Sequence, residues 1–146
     1  MAKIRLPKLP TIEKLPVFGK KKAEPKAYPP PPETWAGSLP EWAIYHALIT
    51  LGKREGIDFI YQSSQMGGRL EKGGAVIDFL FLDPPNLAIN VQSTYYHYRT
   101  ATQRTRGALQ KAQIESYGIR LIYIQEENAL REPRWFVMEA LSGREH

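Results

Sequence analysis

The sequence predicts an α/β domain, a mixed sheet flanked by helices in the order α-β-β-β-α-β-α, entered through an extended Pro/Lys-rich segment. Apolar residues recur at helical spacing near both ends of residues 38–146, and four apolar runs of strand length lie between them. A proline-free stretch at 100–117 separates the last two runs, where a crossover helix belongs.

The first helix starts on Ser38-Leu39-Pro40-Glu41, a capping box in which Ser38 and Glu41 satisfy each other's backbone donors. Trp42, Ala43, Tyr45, Ala47, Leu48 and Leu51 continue it, and Gly52 stops it. Residues 58–62 read as a short strand, and the glycine pairs at 67–68 and 73–74 bracket a polar turn. Residues 75–82 form a nearly continuous apolar strand carrying one charge, Asp78, and Asp83-Pro84-Pro85-Asn86 turns the chain into a returning strand at 87–92. Gly118 ends the crossover helix, 119–125 alternates as a buried strand, and 133–141 is the closing helix.

The 146 residues carry a net charge of +5, and all of it resides in the first 40, which hold eight basic and three acidic residues. The same 40 residues hold nine of the 12 prolines, so helix and sheet are both disfavoured there. Residues 1–37 therefore read as a basic tail on a neutral domain spanning 38–146. Its Lys20, Lys21 and Lys22 suit a nucleic-acid or protein-binding arm, and equally a solubilising leader. The absence of cysteine excludes disulfides, thiolate zinc sites, iron–sulfur clusters and a cysteine nucleophile. No apolar run reaches the length of a membrane span, and a cytoplasmic protein is expected.

Asp78 needs explaining, because a carboxylate among Val76, Ile77, Phe79 and Leu80 is costly to desolvate unless something compensates it. A bond to a neighbouring loop is one answer and a metal cation another. Asn90 and Gln92 lie two apart on the returning strand and share one face. An acid facing two oxygen-bearing side chains suits Mg²⁺. A symmetric four-residue turn at 83–86 would set Asp78 opposite Val91, so such a site requires an odd loop or a bulge that brings Asp78 onto the face of Asn90 and Gln92, and a structure with Asp78 and Gln92 on opposite faces would overturn that site.

Ile77-Asp78-Phe79, then Asn90-Val91-Gln92-Ser93, then Tyr95-Tyr96-His97, resemble the PD-(D/E)xK nuclease superfamily, in particular its branch of very-short-patch repair endonucleases and phage and homing enzymes. The resemblance covers about 38–141 and includes Gly118, the strand after it and Glu126. It implies a restriction-endonuclease-like core and metal-assisted phosphodiester hydrolysis with Mg²⁺ or Mn²⁺. Asp78 matches the metal-binding Asp, Gln92 the position usually Lys, Glu41 the first-helix Glu and His97 a general acid. Asn90 stands where an acid is usual; it would ligate metal without bringing charge, so an acid restored there should strengthen metal binding and cleavage. Lys111 is placed to replace the missing strand Lys.

Residues 84–114 contain no acid but hold His97, Arg99, Arg104, Arg106 and Lys111, which together with Tyr95, Tyr96 and Tyr98 suit phosphate contacts and base stacking. Two readings stay open. One is a Mg²⁺-dependent DNA endonuclease or nickase, phage- or mobile-element-encoded, acting as a homodimer where both strands are cut. The other is a catalytically silent nuclease-like fold serving as a DNA-binding or structural module, virion-associated if phage-encoded, with its basic tail as an anchor on DNA or a protein partner.

Overall fold

Capping chemistry fixes the first helix where the sequence places it. In the computed structural model, which describes residues 27–61, 70–72, 75–93 and 100–146, α1 spans Leu39–Thr50 with both halves of the Ser38/Glu41 capping box formed. The strands β1 (Phe59–Tyr61), β2 (Leu70–Lys72), β3 (Ala75–Ile77), β4 (Phe79–Phe81) and β5 (Leu87–Gln92) follow. Next come α2 (Ala101–Glu115), β6 (Arg120–Gln125), α3 (Glu126–Arg131) and α4 (Pro133–Leu141). The fold is mixed α/β: one four-stranded sheet in the order β1-β4-β5-β6, flanked by helices, with β2 and β3 paired separately. β1, β4 and β5 are antiparallel neighbours, and the α2 crossover brings β6 parallel to β5.

Two apolar clusters sandwich the sheet. Phe59, Phe79, Phe81, Ile89 and Ile124 pack with Ile44 and Leu48 of α1 and Phe136 and Val137 of α4. Ala88 and Leu121 pack on the other face against Ile114 of α2 and Ile77. Strand alternation thus sends Leu87, Ile89 and Val91 towards α1, and Ala88, Asn90 and Gln92 towards α2. α2 buries little beyond Ile114 and leaves Arg104 and Arg106 in solvent. Among the described residues, no helix is long and apolar enough to cross a membrane.

Three expectations are corrected. The long apolar strand is broken at Asp78 into β3 and β4, and the polar or acidic turn that the resemblance implies at Glu126 is a short helix, α3. The domain also starts before residue 38. Tyr28 is buried and its hydroxyl donates to the Leu130 carbonyl at 3.3 Å, while Trp42 Nε1–H donates to the Pro29 carbonyl at 2.7 Å. Trp35 stacks on Tyr61 with ring centroids 4.8 Å apart. Proline in this strap sets an extended path, and its aromatic residues anchor that path to the domain.

Removing residues 1–26 touches none of these contacts and should leave the unfolding midpoint within about 0.5 kcal/mol of the full chain. Removing 1–37 strips Tyr28 and Trp35 from the domain and should cost about 2–4 kcal/mol. Urea denaturation of the two truncations checks this, and equal midpoints would restore the boundary at residue 38.

Candidate active site

The break at Asp78 has a non-local cause. Phe79 pairs with Ile89 and Phe81 with Leu87, so the connecting loop is 82–86, an odd length, and position 78 falls opposite Asn90. The Asn90 carboxamide then stands in for a strand neighbour. Its Oδ1 accepts from the Asp78 backbone N–H at 2.7 Å, and its Nδ2 donates to the Val76 carbonyl at 2.9 Å. With those bonds supplied by a side chain, the backbone kinks without leaving buried polar groups orphaned. The kink also reverses the alternation, for Ile77 packs on the α2 face and Phe79 on the α1 face, although residues two apart in an unbroken strand share a face.

Asp78 consequently lines a cleft at the head of α1, about 370 Å³ in volume, with Ser38, Glu41, Val91, Ser93 and Glu126. Its Oδ2 accepts from the Val91 N–H at 2.8 Å. Burial pushes the Asp78 carboxyl up to about 7; the Val91 bond opposes this shift and the charge of Glu41 adds to it. Glu41 is firmly held: Oε2 accepts from the Ser38 N–H at 2.8 Å and the Ser38 hydroxyl at 2.7 Å, and Oε1 accepts from the Tyr61 hydroxyl at 3.2 Å. The strap closes over this arrangement, since a Cβ on Gly37 would collide with the Tyr61 hydroxyl.

The structure divides the expected site. Asp78 and Glu41 share the cleft, and Asn90 reaches Asp78 through its backbone. Gln92 does not join them, because the kink turns Asp78 to one face of the sheet although the odd loop sets it opposite Asn90, while Gln92 stays on the other. There Gln125 Nε2 donates to Gln92 Oε1 at 2.5 Å. Lys111 also lies on the α2 face, paired with Glu145 at 3.3 Å and 5.6 Å from the centroid of the Tyr123 ring. It is therefore not a replacement for the strand Lys beside Asp78. Lys20, Lys21, Lys22, Tyr95, Tyr96, His97 and Arg99 lie outside the described residues.

Ser38, Tyr61 and Ser93 were missed as parts of the site. The capping box signals Ser38, but which face Ser93 takes depends on a register that sequence does not give. Among the described residues, no three of His, Cys, Asp and Glu gather closely enough to hold a metal ion. Comparison with family models, with curated proteins and with solved structures found no match to this chain.

Asn90→Asp tests the division directly. The new carboxylate loses the donor to the Val76 carbonyl and adds a charge beside Asp78, so stability should fall by about 1–3 kcal/mol. Cleavage should not rise, contrary to what the motif alone suggests. A melting curve at pH 8 with a parallel DNA-cleavage assay reads both, and a more active variant of unchanged stability would return Asn90 to the role of metal ligand.

Proposed function

We propose that the protein is a Mg²⁺- or Mn²⁺-dependent DNA endonuclease or nickase of the PD-(D/E)xK type, with its metal site on Asp78 and Glu41. The observation that carries this is the pair of carboxylates facing one cleft, with the Asp78 carboxyl pushed up to about 7 by burial and by Glu41. A cation there would relieve both effects. The donors also fit: Glu41, Asp78 and Glu126 offer carboxylate oxygens and Ser93 a hydroxyl. Mg²⁺ takes one or two carboxylates together with waters and substrate phosphate, so three acids in close array are not required. A four-stranded mixed sheet flanked by helices is compatible with the core that the sequence resemblance implies.

Bound in the cleft, the metal would polarise the scissile phosphate and lower the pKa of an attacking water. The remaining work falls to the chain. Ser38 and Tyr61 hold both oxygens of Glu41 in place, and Asn90 fixes the backbone that aims Asp78. Arg104 and Arg106 on exposed α2 supply phosphate contacts that do not depend on sequence.

The binding-module reading is favoured by one observation, the turning of Gln92 away from Asp78. Incubating the purified full chain with supercoiled plasmid separates the two readings. The enzyme reading expects nicking with Mg²⁺ or Mn²⁺ that EDTA stops and that co-purifies with the protein. Salt-sensitive DNA binding without cleavage, on duplex, nicked and branched substrates alike, would select the binding module.

A further inference from the structure

A second concavity lies beside α1 at the rim of the main core and shares no lining residue with the acidic cleft, although its Tyr61 also holds Glu41. It has a volume of about 390 Å³ and is walled by Trp35, Trp42, Tyr45 and Tyr61, with Glu55 its one charged residue. The Trp42 and Tyr45 rings are nearly parallel, at 20° and 5.8 Å, and Trp35 lies 5.1 Å from each of them. The Tyr45 hydroxyl donates to Glu55 Oε2 at 2.5 Å, which fixes the carboxylate against the aromatic wall. None of the ion pairs among the described residues involves Glu55.

We propose that this groove binds a cationic side chain, arginine or lysine, presented by a basic peptide of another protein. Aromatic faces carry negative potential and attract guanidinium and ammonium groups, and the Glu55 carboxylate supplies the countercharge. A nucleotide base would also stack on the rings, but its phosphate would meet Glu55 as a like charge. The groove is open, and one cation over its half-buried rings gains only about five- to tenfold in affinity, too little for a free ion. The cation must therefore arrive on a chain that adds contacts along the strap.

The test uses the full chain with a tri-arginine peptide and its neutral isostere, tri-citrulline, followed by calorimetry and tryptophan fluorescence. Tri-arginine is expected to bind with a Kd of about 0.1–1 mM and to perturb the fluorescence, with tri-citrulline about tenfold weaker. Glu55→Gln keeps an acceptor for the Tyr45 hydroxyl, so it should leave the melting temperature unchanged and weaken tri-arginine about fivefold. Trp42→Leu should weaken it as well. Equal binding of the two peptides, an unaltered Kd in Glu55→Gln, or no binding by wild type overturns the proposal. So does an oligothymidylate that binds the groove in preference to tri-arginine.

Discussion

Asp78→Asn is expected to raise the melting temperature of the metal-free protein at pH 8 while removing metal-dependent DNA cleavage. The two effects share one cause. The Asp78 carboxyl ionises near 7 in the folded chain against an ordinary 3.8, because burial and the charge of Glu41 both disfavour the carboxylate. Between those values the folded state keeps a proton that the unfolded state has released, so stability falls as pH rises through the window and the full cost is present above it. A shift of that size has a ceiling of about 4 kcal/mol, and water reaching the cleft brings the expected cost to about 2 kcal/mol. Asparagine carries no charge, accepts from the Val91 N–H through its oxygen, and turns its amide donors towards Glu41. The gain in Tm should be several degrees at pH 8 and near zero at pH 4. On the proposed function, cleavage should drop by about 100-fold or more, since the metal would lose its most buried carboxylate. A variant that lost cleavage and stability together at pH 8 would mark Asp78 as an architectural residue.

The largest effect on stability is expected at Phe59. Its side chain is fully buried between α1 and the sheet, with ring centroids 5.8 Å from Tyr45, 6.0 Å from Phe81 and 6.3 Å from Phe79. Phe59→Ala removes a ring on which three others rest and leaves a cavity that rigid neighbours fill poorly. The expected loss is about 3–5 kcal/mol, a large fraction of the stability of a domain this size. Urea titration checks it, and a loss below about 1.5 kcal/mol would mean that the aromatic layer collapses onto the gap.

What was legible in the sequence was local. Ser38 and Glu41 lie three residues apart and announce α1 by themselves, and the apolar spacing after Pro133 announces α4. The helix before Gly118 was expected, though its Thr100/Gln103 capping box went unnoticed. The kink at Asp78 was not legible, because it is made by Asn90 from the neighbouring strand. α3 carries no side-chain cap and follows β6 directly, so the sequence offers no start signal for it. The strap was misread for a compositional reason. Proline density suggests an unattached tail, but Tyr28 and Trp35 bury enough aromatic surface to hold the segment down.

The same distinction governs the site. Asp78 and Glu41 could be named from residue type and motif. The odd loop 82–86 sets Asp78 opposite Asn90, on the strand face that Gln92 shares, and it is the kink held by the Asn90 carboxamide that turns Asp78 to the other face. Residue types thus identified the acidic pair, and only tertiary pairing could say which of the other polar groups accompany it.

Metal binding by the acidic cleft is most directly read from Mn²⁺ titration of the DNA-free full chain, followed by the relaxation of water protons. Wild type should take up about one Mn²⁺ per chain with a Kd near or below about 1 mM, and both Asp78→Asn and Glu41→Gln should weaken it by about tenfold or more. Mn²⁺ bound equally well by wild type and Asp78→Asn would contradict the assignment of the metal to this cleft.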